Sequence, residues 1–125
     1  CVNGRTLEQA KQRATVHFMQ ERDRYRCAFR NHSTRRYCCK PSAVKFDKLA
    51  ISLARIRNAT LVDGNDFYGW TDGSNIYISR DVPMAFDQLV GTLLHEELHC
   101  FCKARGRYLG AETEHRCMRI LGDNC

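Results

Sequence analysis

The sequence predicts a small α+β domain with a long N-terminal helix, a short antiparallel hairpin and a buried helix after it. Apolar residues recur at helical spacing on both sides of the hairpin region. Between them, two short runs rich in aromatic and β-branched residues flank an Asp-Gly-Ser turn at 72–74. The 125 residues suit one domain, and no repeat, low-complexity tract or linker divides them. We therefore predict a single domain over residues 1–125.

The N-terminal part of the chain is predicted to be mostly helical. A long helix is expected from residue 6 to about residue 30, with Thr6 capping its start and Gln9 completing a capping box. Residues 42–57 place their apolar side chains on one helical face, so a second helix is expected there. A short strand is expected at 59–62.

The hairpin and the helix after it are the clearest elements of the pattern. Strands are expected at 67–71 and 75–79, because glycine in the intervening turn supplies the backbone angles that a hairpin requires. Residues 85 to about 104 form a helix that is apolar over a wide face, which predicts burial. Its apolar residues are Phe86, Leu89, Val90, Leu93, Leu94, Leu98 and Phe101. A last helix is expected at 112–121.

The cysteine content indicates an oxidised, exported protein. Eight cysteines in 125 residues are many, and their spacing lacks the paired CxxC pattern of structural zinc sites. We therefore expect disulfides that staple the fold, in a secreted protein, with the pairing left open. Glycosylation sequons at Asn31 and Asn58 agree with export, although their use is also left open.

The charge and hydropathy of the chain argue against nucleic acid as a partner and against a membrane span. The chain carries 20 Lys and Arg against 14 Asp and Glu, a formal charge of +6. Much of the positive charge lies between Arg22 and Lys40, where no aromatic ladder or nucleic-acid motif accompanies it. A solvated helix face is the better interpretation, so no nucleic-acid partner is expected. No apolar run approaches the roughly 20 residues of a membrane span, and we expect a monomer.

The motif that indicates chemistry is His95-Glu96-Glu97-Leu98-His99. Two histidines four residues apart lie one turn apart on the same helix face, where both imidazoles reach one metal ion. A glutamate directly after the first histidine suits a general base that takes a proton from a metal-activated water. The surrounding sequence is apolar, and burying His and Glu is costly unless a metal or a partner compensates. The pattern therefore predicts a zinc site with His95 and His99 as ligands and Glu96 as base.

A third protein ligand is expected on the last helix, because catalytic zinc usually takes three protein ligands and one open position. Glu114 is favoured, since its helical face continues through apolar residues and so turns toward the core. His115 and Glu112 are the alternatives. A site completed by Cys102, which shares the face of His95 and His99, is a further alternative that fails if the thiol is oxidised.

This motif, with an acidic residue on a nearby second helix, resembles the gluzincin group of zinc peptidases. Residues 67–121 are similar to minimal zincin cores such as SprT-like domains. Metzincins match less well, because their longer motif would place Gly and His where this chain has Cys102 and Arg105. The resemblance implies a zinc metalloprotease with a zincin-like fold, a hydrolase in which Glu96 is the general base. It also implies that an edge strand beside the metal binds an extended peptide or protein substrate. SprT-like proteins are intracellular, so the expectation of secretion comes from the cysteines and sequons and not from the resemblance.

Catalysis of this kind also needs a donor that stabilises the tetrahedral oxyanion. The candidate donors are Tyr108, His115 and Arg116, with Tyr77 as a weaker one. Two other functions stay open from the sequence alone. One is a zinc-containing binding module of the zincin fold that does not turn over peptide. The other is a basic, disulfide-rich defence or toxin protein.

Overall fold

The structure of the protein is a computed structural model that describes residues 2–31, 53–64, 66–101 and 115. Over 22–31 and at residue 101 it describes the backbone alone. Among the cysteines, only the side chain of Cys100 belongs to the described part, so the expected disulfides lie outside it. The described elements combine long and short helices with one small sheet, which confirms the α+β class.

Helix α1 spans Gly4–Asn31 and begins two residues earlier than the sequence predicted. The prediction that Thr6 caps this helix was wrong, because Asn3 is the capping residue. Its Oδ1 accepts hydrogen bonds from the backbone N–H of Thr6 at 2.8 Å and from the Thr6 hydroxyl at 2.9 Å. The first backbone N–H groups of a helix have no acceptor within the helix, and an asparagine at this position provides one for the N–H three residues later.

Helix α2 spans only Ala54–Arg57, and the part of the predicted helix at 42–52 lies outside the described residues. A continuous helix up to residue 57 was wrong, because Leu53 has a left-handed backbone with φ 41° and ψ 36°. That conformation costs a leucine about 1–2 kcal/mol. The Leu53 side chain is fully buried, and this burial offsets the cost.

The sheet contains three described strands, β1 (Thr60–Val62), β2 (Gly69–Thr71) and β3 (Ile76–Ser79), in the order β1-β3-β2. Strands β2 and β3 form the predicted antiparallel hairpin. Strand β1 confirms the short strand expected near 59–62, but it pairs with β3 in parallel. The sheet is therefore mixed, and the parallel pairing of β1 is a feature that the sequence did not predict.

The hairpin turn has the features that the sequence predicted. Gly73 has φ 97°, a conformation that glycine adopts without strain. Asp72 Oδ1 accepts hydrogen bonds from the backbone N–H groups of Ser74 and Asn75, both at 2.8 Å. These bonds lower the pKa of Asp72 below its ordinary value and fix the turn.

Helix α3 spans Phe86–Phe101 and packs against α1, α2 and the sheet. Most of its predicted apolar face is buried, whereas Phe86 in its first turn is 41% exposed. The predicted continuation to about residue 104 lies outside the described residues. The core joins the three helices and the sheet, and its largest fully buried side chains are Phe18, Leu53, Ile56, Ile76, Ile78, Leu89, Leu93 and Leu98. No helix in the described ranges is long and apolar enough to cross a membrane.

Candidate metal centre

One stripe of α3 carries both histidines of the sequence motif. Thr92, His95 and His99 are spaced by three and four residues, so they follow one another along the same helix face. The stripe lies close to β2 at Thr92, since a Cβ built on Gly69 would lie 2.8 Å from Thr92 Cγ2. The missing side chain at Gly69 thus lets β2 approach α3 at Thr92.

A third histidine completes a cluster with this pair. His99 Nε2 lies 3.1 Å from His95 Nε2 and 3.1 Å from His115 Nε2. One possible ligand atom from each residue fits within 4.8 Å of the others, so the three histidines are close enough to bind a metal ion. His115 has helical backbone, and the rest of the predicted last helix lies outside the described residues.

Hydrogen bonds between the three rings do not by themselves account for this convergence. In a neutral imidazole, each ring nitrogen carries either one N–H or one lone pair. His99 Nε2 can therefore form a good hydrogen bond with one of its two histidine neighbours, yet it lies equally near to both. A cation at the centre satisfies all three lone pairs at once, since neutral imidazole nitrogen is a common metal ligand.

The spacing of the nitrogens also fits zinc. Ligand nitrogens about 2.0–2.1 Å from a tetrahedral zinc ion are about 3.3–3.4 Å apart. Two separations, His95 to His99 and His99 to His115, are both 3.1 Å and come close to this spacing. Three imidazole ligands would leave the fourth position of a tetrahedral ion for another ligand.

Burial in the cluster is uneven. The His99 side chain is buried and Glu96 beside it is buried with 6% exposure, whereas His95 and His115 are half-buried. The cluster therefore reaches from the interior toward the surface. In a site of this kind, the buried side is shielded from bulk water, and a ligand can reach the histidines from the other side.

The second glutamate of the motif has a structural partner that the sequence did not identify. The Glu97 side chain is fully buried, and both of its oxygens accept hydrogen bonds from Arg55 on α2. Arg55 Nε donates to Oε2 at 3.0 Å and Nη2 donates to Oε1 at 2.9 Å. Burial lowers the pKa of Arg55, but hydrogen bonding to Glu97 and its negative charge outweigh this effect and raise it overall. The pair joins the turn of α3 between His95 and His99 to α2.

The remaining predicted site residues fall into two groups. Tyr77 is described, and its hydroxyl donates a hydrogen bond to Asp72 Oδ2 at 3.3 Å, at the hairpin turn. The others lie outside the described residues, so the predictions about them stay predictions. They are Glu112, Glu114, Tyr108, Arg116 and Cys102.

Comparison with known protein families, curated proteins and solved structures finds no match to this chain.

Proposed function

We propose that the chain is a zinc-dependent endopeptidase in which His95, His99 and His115 hold the metal and Glu96 is the general base. The convergence of the three ring nitrogens on one point is the observation that carries this proposal. Under it, His115 replaces Glu114 as the favoured third ligand, because its ring lies beside those of His95 and His99. The cysteine content and the two sequons support the further proposal that the protein is secreted.

Each residue of the motif has a distinct part in the proposed mechanism. Zinc, when bound, acts as a Lewis acid and lowers the pKa of water toward neutrality. Glu96 follows His95 directly on α3 and is buried, and its carboxylate is the proposed acceptor of a proton from that water. The Glu96 carboxyl then holds the proton and donates it to the leaving amine. The Arg55–Glu97 pair keeps this turn in place.

The substrate is proposed to bind along β2. In the described part of the chain β2 pairs with β3 on one side only. Its other edge therefore offers Gly69 and Thr71 backbone groups for β-addition by an extended peptide. This edge adjoins the stripe of Thr92, which leads to His95. A peptide or protein in extended form is thus the proposed substrate.

Zinc content tests the proposed ligands. We expect one zinc per chain by elemental analysis, with the affinity measured by competition against a chromophoric chelator. His115→Ala should weaken zinc binding at least a hundredfold, because it removes one of three protein ligands. Glu114→Gln and His17→Ala are the matched controls, and His17 lies on α1. If Glu114→Gln loses zinc and His115→Ala retains it, the ligand assignment is wrong.

Cleavage of an unfolded protein tests the proposed activity. The wild-type protein should cleave a reduced and alkylated substrate, and a chelator should stop it. Glu96→Gln should retain zinc and lose about 10²–10⁴-fold in rate, the usual contribution of a general base. If the protein binds zinc tightly but cleaves nothing, the alternative function, a zinc-containing binding module, is supported instead of the peptidase. Undiminished cleavage by Glu96→Gln would contradict the mechanism.

A further inference from the structure

The sheet presents aromatic rings on the face turned away from α3. Trp70 on β2 and Tyr77 on β3 are direct cross-strand partners, and their rings stack with centroids 4.4 Å apart and planes 24° apart. Gly69, next to Trp70, faces α3, so Trp70 points to the opposite side. Trp70 is 44% exposed and Tyr68 is 46% exposed. We call Tyr68, Trp70 and Tyr77 the aromatic face.

A fixed carboxylate lies at the end of this face. Asp72 Oδ2 accepts the hydrogen bond of the Tyr77 hydroxyl at 3.3 Å, while Oδ1 is held by the backbone of the turn. The turn's N–H groups lower the pKa of Asp72, so this carboxyl is ionised at neutral pH. The negative charge of Asp72 therefore stands beside the exposed aromatic rings in one defined position.

The segment that carries the aromatic face has the opposite charge to the chain as a whole. Residues 59–85 contain four aspartates and one arginine, a formal charge of −3, whereas the whole chain carries +6. The arginine, Arg80, is paired with Asp63 at 3.2 Å. Asp66, Asp72 and Asp81 are exposed and supply the surplus. A cationic partner matches this surface, and an anionic partner such as nucleic acid does not.

We propose that the aromatic face and Asp72 bind Lys or Arg side chains of an extended polypeptide. A cation over a tryptophan or tyrosine ring is attracted by the negative face of the ring, and a nearby carboxylate adds a direct charge contact. Tyr68 directly precedes β2, and its C=O accepts a hydrogen bond from Ser79 N–H at 3.0 Å, so the pairing with β3 continues to it. Alternate side chains of an extended strand are about 6.5–7 Å apart, so Tyr68 and Trp70 match the spacing of alternate side chains in an extended peptide. This inference goes beyond the proposed peptidase activity and requires neither zinc nor Glu96.

The only tryptophan of the chain provides the test, because Trp70 is itself part of the aromatic face. Trp70 emission is titrated with a peptide of alternating Lys and Ser, and separately with a peptide of alternating Glu and Ser. The Glu96→Gln protein is used, so that cleavage does not interfere. We expect a saturable change with the Lys peptide that weakens with added salt, and no saturable change with the Glu peptide.

Two substitutions decide whether Asp72 takes part. Asp72→Asn keeps the acceptor oxygen of the turn but removes the charge, and it should weaken binding of the Lys peptide about three- to tenfold. Asp87→Asn removes one exposed charge from α3 instead of the sheet, and it should change the affinity less than twofold. Equal effects of the two substitutions, or equal binding of the Lys and Glu peptides, would overturn the proposal.

A separate readout covers the ring itself. Trp70→Leu removes the fluorophore, so binding is followed by the anisotropy of a labelled Lys peptide, with circular dichroism to show that the fold is kept. We expect a loss of affinity of at least fivefold, with partial recovery in Trp70→Phe, because phenylalanine restores a weaker aromatic face. A folded Trp70→Leu protein that binds the peptide like the wild type would also refute the proposal.

Discussion

Replacing Arg55 with alanine leaves the Glu97 carboxylate in the core without its guanidinium partner. The Glu97 side chain has no exposed surface, and Arg55 is 22% exposed. Removing one partner of a buried ion pair costs about 3–5 kcal/mol, and the partial exposure of Arg55 favours the lower end. We expect a loss of about 3 kcal/mol in the free energy of unfolding. For 125 residues this equals a fall in Tm of about 12 °C.

Denaturant unfolding of the single and double variants measures this cost. In the Glu97→Gln background, Arg55→Ala should cost only about 1 kcal/mol, because no buried charge remains to be compensated. Arg13→Ala, an exposed arginine on α1, is the matched control and should stay within about 0.5 kcal/mol. The m-value must stay constant for the comparison to hold. A cost of Arg55→Ala below about 1 kcal/mol, or the same cost in both backgrounds, would refute this role of the Arg55–Glu97 pair.

Three further predictions concern the close approach of strand and helix, the hairpin turn and the core. Gly69→Ala should destabilise the protein by about 1–3 kcal/mol, since the new methyl would lie 2.8 Å from Thr92 Cγ2. Thr92→Ser removes this Cγ2 methyl and should restore part of the lost stability in thermal unfolding. If the effects of the two substitutions on stability simply add in the double variant, the contact is contradicted. The lowered pKa of Asp72 stabilises the folded state at neutral pH, and this contribution is lost as the pH falls through the folded-state pKa. The stability difference between wild type and Asp72→Asn should therefore be larger at about pH 6 than at about pH 2. A difference that does not change with pH would show that the ionised Asp72 carboxyl does not stabilise the turn. Leu93→Ala should cost about 2–5 kcal/mol in denaturant unfolding, because Leu93 is fully buried, and a cost near zero would mean that the site is not packed.

The sequence was most informative where local rules decide the structure. The Asp-Gly-Ser turn fixed the hairpin, and the apolar period located α3 with His95 and His99 on one face. Both follow from contacts between residues close in the chain. The same local reasoning failed at Leu53, where tertiary burial holds a left-handed backbone that no propensity favours.

Long-range partners could not be read from the pattern. The buried Glu97 signalled that some cation must compensate it, but nothing in its surroundings selects Arg55 among 20 basic residues. The third histidine, His115, could not be identified from local sequence either. Helical periodicity ranked Glu114 above His115 by asking which face is apolar, whereas the cluster depends on how the segment carrying His115 lies against α3. That placement is tertiary and has no local signal.

The order of strands in the sheet has a consequence for how the chain reaches its native state. Strands β1 and β2 both pair with β3, which is the last of the three along the chain. The β2–β3 hairpin closes a short loop and forms on the microsecond scale typical of hairpins. Strand β1 pairs in parallel with β3 across a longer separation, and longer loops close at greater entropic cost. We therefore expect β1 to dock on β3 after the hairpin has formed. During synthesis this pairing cannot form until Ile76–Ser79 has left the ribosome.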